Sequence, residues 1–137
     1  MADDVILNKA ASIERCLRRI QDEYAGKKQN LLENQTKQDS IILNLQRACE
    51  ITIDLAMYVV STRKLGVPQD SRDAFALLQA GELLPADLAL RMQRMVGFRN
   101  VAIHEYTHLN LDVVSSIITT QLDDFRVFSS TIVKVCA

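Results

Sequence analysis

Hydrophobic residues recur every three or four positions along most of this chain, which is the spacing of a helix that buries one face. The first stripe runs over about residues 3–24, the second over 39–65, and a short third over 71–80. A fourth helix is predicted to open at Pro85 and to run into the motif discussed below, and a last one to span about 110–132. The polar stretch between the first two stripes is expected to be a loop or a frayed helical lead-in.

Capping residues and helix breakers mark the ends of these segments. Asp39 or Thr36 is a candidate N-cap of the second helix, Asp70 or Ser71 of the third, and Asn110 of the last. Only four Gly and two Pro occur in 137 residues, too few for the frequent turns of an all-β protein. The sequence therefore predicts an all-α fold, an up-and-down bundle of four to five helices, in a single domain over residues 1–137.

The composition of the chain says more about the cellular compartment in which the protein acts than about its activity. The net charge of −1 argues against a uniformly basic nucleic-acid-binding surface, although a local basic patch is compatible with it. The chain has three cysteines, an odd number, and no C-x-x-C motif. This pattern predicts buried free thiols in a reducing cytoplasm. We see neither a signal peptide nor an apolar run long enough to span a membrane, so no membrane association is expected.

The stretch RNVAIHEYTH, residues 99–108, holds both histidines of the chain and fits two catalytic patterns. The first is H-E-x-x-H, in which His104 and His108 hold zinc and Glu105 activates a bound water. Catalytic zinc needs a third protein ligand, and no His or Glu follows His108. We therefore expect no metal site and no cofactor, and we assign His108 no role.

The second pattern, R-x4-H, places Arg99 and His104 in a metal-free ribonuclease site. A histidine near neutral pKa suits the removal of the ribose 2′-OH proton, and an arginine fork suits a charged phosphoryl group. The two residues lie about 140° apart around a helix, so one helix does not aim both at one point. A two-fold dimer would bring both residues from each chain into one cleft, and Gly97 would permit close helix approach.

The segment MVGFRNVAIHEY, residues 95–106, resembles the signature of the HEPN superfamily in its HepT-like toxin branch. The stretches NLQRACEITIDLA (44–56) and SRDAFALLQAGEL (71–83) also resemble this branch, and the likeness covers roughly residues 5–135. It implies a helical bundle that dimerises through the motif helices and acts as a metal-independent endoribonuclease. It also implies a toxin whose partner is a small nucleotidyltransferase antitoxin, MntA.

The same resemblance assigns roles to individual positions. Arg99 and His104 would be catalytic, and Asn100 would orient the histidine or the phosphate. Tyr106 would receive AMP from the antitoxin, which adds bulk and negative charge beside the cleft. The RNA substrate expected from the family is tRNA. A second interpretation remains open, in which the chain is a non-catalytic module that binds a nucleotide or the partner nucleotidyltransferase.

Structural roles compete with these assignments at several positions. Arg99 could simply pair with Glu50 or Asp54, two acids one turn apart on the second helix, and either acid could also orient a catalytic Arg99. Arg91 and Arg94 are solvent-facing cations in one interpretation and contacts for RNA phosphates near the cleft in the other. A plain structural helical domain is the third possibility, and the intact Arg-Asn and His-Glu-Tyr block argues against it.

Overall fold

The computed structural model describes residues 3–104 and 109–137, without the side chains of residues 103 and 104. These ranges contain seven helices and no strand. The helices are α1 (Asp4–Tyr24), α2 (Lys28–Leu32), α3 (Gln35–Thr62), α4 (Ser71–Ala80), α5 (Ala86–His104), α6 (Leu111–Thr120) and α7 (Leu122–Cys136). The prediction of an all-α, up-and-down bundle is confirmed, with two more helices than the five segments of the sequence pattern.

Helix α1 follows the sequence pattern closely. The Asp3 carboxylate caps it by accepting the backbone N–H groups of Val5 and Ile6 at 2.9 and 3.3 Å. The helix ends where Ala25 and Gly26 adopt left-handed φ angles of 51° and 69°. Its apolar stripe is buried at Ile6, Ile13, Cys16, Leu17, Ile20 and Tyr24.

The polar stretch after α1 is more helical than predicted. It contains the five-residue helix α2, which is held to the core by the fully buried Leu31. Helix α3 then begins at Gln35, and its cap is Asn34, whose side chain accepts the Lys37 N–H at 3.0 Å. The candidate caps Thr36 and Asp39 were therefore wrong, because both lie inside the helix that Asn34 starts.

Helices α4 and α5 begin and end close to the predicted positions. Asp70 caps α4 by accepting the Asp73 N–H at 2.8 Å, and Gly81 follows its last residue. Helix α5 begins at Ala86, directly after Pro85, and continues to position 104. The motif residues 99–104 therefore form the last turns of α5.

The single last helix of the prediction is two helices, with a break at Gln121. Asn110 caps α6 as expected, but α6 ends at Thr120. The hydroxyl groups of Thr119 and Thr120 donate to the carbonyls of Ser115 and Ser116 at 3.0 and 2.6 Å. Hydroxyls that bond back to the preceding turn, together with the β-branched run that ends α6, disfavour continuation of the helix.

Helix α3 lies at the centre of the bundle and positions the site. It packs against α1, α4 and α5, while α7 covers α1 and α5. Phe75 of α4 meets Phe128 of α7 edge-to-face in the core, with ring centroids 5.5 Å apart. The adjacency of α3, α4 and α5 brings their polar residues together at one place on the surface. No helix in the described ranges is long and apolar enough to cross a membrane.

Candidate functional site

Arg99 of α5 is held by side chains from two other helices. Its Nη1 lies 3.2 Å from Oε1 of Glu50 on α3, and its Nη2 donates to the Ser71 hydroxyl on α4 at 3.0 Å. The arginine side chain is only 19% exposed, so its long stem is packed and its guanidinium has a defined direction. A guanidinium fixed in this way can bind a phosphoryl group without first being ordered.

The Ser71 hydroxyl is available to Arg99 because a neighbouring residue caps the helix. Asp70 supplies the carboxylate that accepts the Asp73 N–H, so Ser71 sits in the first turn of α4 with its side chain uncommitted. As an acceptor from Arg99, the hydroxyl still has its own proton to donate. Ser71 therefore orients Arg99 and remains a hydrogen-bond donor to a ligand.

The guanidinium of Arg99 retains donors after these contacts. Arginine has five N–H groups, and Glu50 and Ser71 take one on each terminal nitrogen. Its Nε is buried and has no hydrogen-bond partner among the described residues. Buried polar groups without partners are rare in folded proteins. The folded protein therefore holds Arg99 with part of its hydrogen-bonding capacity unused.

A pocket of about 300 Å³ opens beside Arg99, between the start of α4 and the last turns of α5. It is lined by Asp70, Ser71, Arg72, Val96, Arg99 and Asn100. Two of the lining side chains are guanidinium groups, one is a hydroxyl and one is an amide, while the carboxylate of Asp70 accepts the Asp73 N–H as the cap of α4. This combination suits an oxygen-rich anion such as a phosphate group.

Two residues of the motif, Arg99 and Asn100, line this pocket. Asn100 is exposed and lines it, as expected for a residue that contacts substrate. Position 104, the last residue of α5, follows Asn100 by about one helical turn. The His104 side chain, Glu105, Tyr106 and His108 lie outside the described residues, so the expected absence of a zinc site and the modified tyrosine remain predictions.

Of the two acids proposed to pair with Arg99, the one in contact is Glu50. Asp54, one turn further along α3, is exposed, and the contacts of Arg99 in the described residues are those with Glu50 and Ser71. The helical period alone made the two acids equivalent, because both lie on the same face of the helix. The packing of α5 on α3 distinguishes them.

Arg91 and Arg94 lie away from the Arg99 pocket. Arg91 is bonded to Asp124 at 2.7 Å and to Asp87 at 3.3 Å, so its charge is already compensated. Arg94 is exposed and shares with Arg91 a separate pocket of about 200 Å³ near Gln121. Contacts of these two arginines with RNA remain a prediction. Arg94 is the better candidate for a phosphate contact, because the charge of Arg91 is compensated by two acids.

The cysteine next to Glu50 is not part of the chemistry of the site. Cys49 is fully buried, and burial raises the pKa of its thiol above the usual range, with the negative charge of Glu50 acting in the same direction. Such a thiol stays protonated and unreactive at neutral pH. Cys16 is also a buried free thiol and Cys136 a half-buried one, in agreement with the prediction from the odd count.

Sequence reasoning missed Ser71 and Arg72 as site residues. Ser71 was considered only as a helix cap, and Arg72 only as part of the stretch SRDAFALLQAGEL. The available signal was a Ser-Arg pair at the start of a short polar-faced helix. It became informative only when α4 was placed against α5.

Comparison with known proteins gives consistent results. A family model described as ribonuclease HepT-like matches residues 13–132. The protein named mRNA nuclease HepT of Shewanella oneidensis strain MR-1 is 45% identical over 126 residues, which is 92% of this chain and 94% of that protein. Nearly the whole of both chains is aligned.

Solved structures agree with the sequence comparison. A tri-AMPylated HEPN toxin of Shewanella oneidensis, in complex with an MNT antitoxin, superposes with a TM-score of 0.89 at 45% identity and covers 95% of this chain and 97% of that one. A toxin–antitoxin structure with AMP-PNP gives a TM-score of 0.89 at 44% identity, with 95% and 98% coverage.

Proposed function

This chain belongs to the HepT-like ribonuclease family, and we propose that it is the toxin of a toxin–antitoxin pair and a metal-independent endoribonuclease. The observation that carries the proposal is the fixed guanidinium of Arg99, held by Glu50 and Ser71 at the edge of a polar pocket of about 300 Å³. The fold alone would not support it, because one fold hosts many functions.

The proposed reaction is attack of a ribose 2′-oxygen on the adjacent phosphorus. His104 takes the 2′-OH proton, and the new bond to phosphorus displaces the 5′-oxygen of the next nucleotide, which is protonated as it leaves. The free N–H groups of Arg99 stabilise the charge on the phosphoryl oxygens, and the exposed amide of Asn100 orients the phosphate or the histidine. The products carry a 2′,3′-cyclic phosphate and a 5′-hydroxyl.

A homodimer supplies what a single site lacks in this scheme. One histidine does not easily act as base and acid in the same step, whereas a two-fold contact between the ends of α5 brings a second His104 and Arg99 to the cleft. The exposed amide of Asn100, beside Arg99 in the pocket, supports this arrangement, because this part of α5 is accessible to a second chain.

Control by an MntA-like nucleotidyltransferase is proposed on the basis of the structural relatives. The similar toxin from Shewanella oneidensis is tri-AMPylated and bound to an MNT antitoxin. In this chain the acceptor would be Tyr106, two residues after His104, where added AMP places bulk and negative charge before an RNA phosphate. Mass spectrometry of the co-expressed protein should find AMP on the Tyr106 peptide, and an unmodified peptide would contradict this mode of control.

The class of RNA is the least constrained part of the proposal. The curated relative is named an mRNA nuclease, whereas the resemblance to the superfamily suggested tRNA. The pocket contains two guanidinium groups that suit a phosphate, a contact that carries no sequence information, so we propose RNA as the substrate and let mRNA and tRNA be compared directly. The three free cysteines are consistent with action in the cytoplasm.

The test is cleavage of defined mRNA and tRNA substrates by the purified, unmodified protein beside its His104→Ala variant. We expect the wild type to produce fragments with 2′,3′-cyclic phosphate ends and the variant to lose activity by at least about 100-fold, the typical contribution of a general base. Cleavage that persists in the variant would overturn the assignment of His104. A dimeric, unmodified wild type that cuts neither RNA would favour the non-catalytic binding module.

A further inference from the structure

The side chain of Arg72 lies against α5 at Gly97. It fits there because glycine has no side chain. Its Nε is 3.4 Å from the carbonyl oxygen of Gln93, and the Gln93 amide donates to the Arg72 carbonyl at 3.2 Å. An ideal Cβ at Gly97 would be only 2.9 Å from Nη2 of Arg72. A glycine inside a helix costs about 1 kcal/mol relative to alanine, and here it provides the space for a guanidinium.

This location places Arg72 on the same stripe of α5 as the proposed general base. Positions 93, 97, 100 and 104 are separated by four, three and four residues, which is one face of a helix. Arg99 lies about 140° away from position 104 around the same helix. Arg72 therefore supplies the cation that this stripe lacks in its own sequence.

Arg72 and Arg99 lie at different distances from the general base along the axis of α5. Seven residues between positions 97 and 104 correspond to about 10 Å along the helix axis. By the same measure Arg99 lies about 7.5 Å from position 104, so position 97, over which Arg72 is seated, is about 3 Å farther along the helix, beside the pocket that both arginines line. Because Arg99 is assigned to the phosphorus under attack, Arg72 is left for another phosphate of the same RNA strand.

The charge of Arg72 is also available. Among the described residues no carboxylate lies within ion-pair distance of it, whereas Arg91, Arg99 and Arg126 each contact at least one acid. The acid that shares the pocket with Arg72 is Asp70, and its Oδ1 accepts the Asp73 N–H at 2.8 Å as the cap of α4.

We propose that Arg72, seated over Gly97, binds an RNA backbone phosphate adjacent to the one that is cut and so holds the substrate in register. The inference rests on the proposed ribonuclease function and adds a binding residue to it. A contact of this kind strengthens substrate binding without taking part in bond breaking. Its loss raises KM and leaves kcat nearly unchanged.

Binding of a single-stranded RNA oligonucleotide tests the proposal most directly. We would measure affinity against salt concentration in the His104→Ala background, which prevents cleavage, and add Arg72→Gln or Gly97→Ala. The alanine displaces the flexible end of Arg72 without altering its charge, and Arg19→Gln on the exposed face of α1 is the matched control for loss of one charge.

Each phosphate contact on a single strand contributes about 0.7 to the slope of log affinity against log salt. We expect Arg72→Gln to reduce the slope by about that amount and to weaken binding roughly fivefold at low salt, while Arg19→Gln does neither. In the active protein, Arg72→Gln should raise KM by a similar factor with kcat within about twofold. Gly97→Ala keeps the charge and only displaces the guanidinium, so it should weaken binding at low salt by a smaller factor with little change in slope.

A slope for Arg72→Gln equal to that of Arg19→Gln would overturn the proposal. If Arg72→Gln does not fold, judged by circular dichroism, the slope of Arg72→Ala decides, since residue 72 is exposed and alanine is favoured in a helix. Failure of the ribonuclease function gives a different result, because wild type then leaves RNA uncut whatever the salt dependence of binding.

Discussion

At the scale of single residues, the proposed chemistry depends on how Arg99 is oriented. A free arginine on a surface helix samples many rotamers and must be ordered before it can stabilise a transition state. Contacts with Glu50 on α3 and Ser71 on α4 remove that cost. The contact with Glu50 is ionic and the contact with Ser71 is neutral. Substitutions at the two residues are therefore expected to change kcat/KM for different reasons.

Glu50→Gln should lower kcat/KM for RNA by about fivefold, because a neutral amide attracts the guanidinium more weakly than a carboxylate does. The estimate is modest because the Glu50 side chain is 42% exposed and solvent screens the pair. Asp54→Asn is the matched control, one turn along α3 at an exposed position, and should leave kcat/KM unchanged. Equal effects of the two substitutions would contradict the assignment of Glu50.

Ser71→Ala should reduce kcat/KM by about three- to tenfold, since it removes the acceptor of Arg99 Nη2 and a donor facing the pocket. Ser71→Thr keeps the hydroxyl and should recover most of the activity. Steady-state kinetics with one RNA substrate measures both variants. Loss of activity in the threonine variant as large as in the alanine variant would show that the hydroxyl is not what matters.

At the scale of helices, the sequence predicted most where the signal was local. The cap at Asn110 and the apolar stripe of α1 each involve residues within one or two turns, and both were predicted correctly. The cap of α4 is Asp70, one of the two neighbouring candidates that the sequence left open. The start of α3 was predicted one turn late because Asn34 lies in a polar stretch without apolar periodicity. The break at Gln121 was missed because the apolar stripe continues in phase across it.

Asn110 offers a test of the helix that follows the motif. Its side chain accepts the N–H groups of Asp112 and Val113 at 2.9 and 3.3 Å. Asn110→Ala should lower the free energy of unfolding by about 1 kcal/mol, while Asn110→Asp should retain it. Urea unfolding followed by circular dichroism measures both, and an alanine variant as stable as wild type would show that this cap contributes nothing.

At the scale of the whole molecule, one buried cluster takes side chains from all seven described helices, and we propose on this basis that residues 1–137 form one domain. The cluster is what fixes α3, α4 and α5 beside one another. Periodicity indicates which face of each helix is buried but not which helices are neighbours. The pairing of Arg99 with an acid of α3 could therefore be proposed from the sequence, whereas the roles of Ser71 and Arg72 could not.

The dimer belongs to this scale as well. If each cleft requires Arg99 and His104 from both chains, mixed dimers of wild type and His104→Ala should have impaired activity. Wild type would be titrated with an excess of the variant under conditions that allow exchange, and the rate per wild-type chain would be measured. A rate that does not change as mixed dimers accumulate would show that each chain is sufficient by itself.

The most direct test of the central claim is cleavage of one defined RNA by the purified, unmodified wild-type protein in excess EDTA, beside Arg99→Ala. We expect the wild-type rate to be unaffected by the chelator, since a histidine and an arginine perform the proposed chemistry. Arg99→Ala should lose at least about 100-fold, the usual cost of removing a preorganised charge stabiliser. A wild-type rate that EDTA abolishes and added zinc restores would contradict the account and return the H-E-x-x-H pattern to consideration.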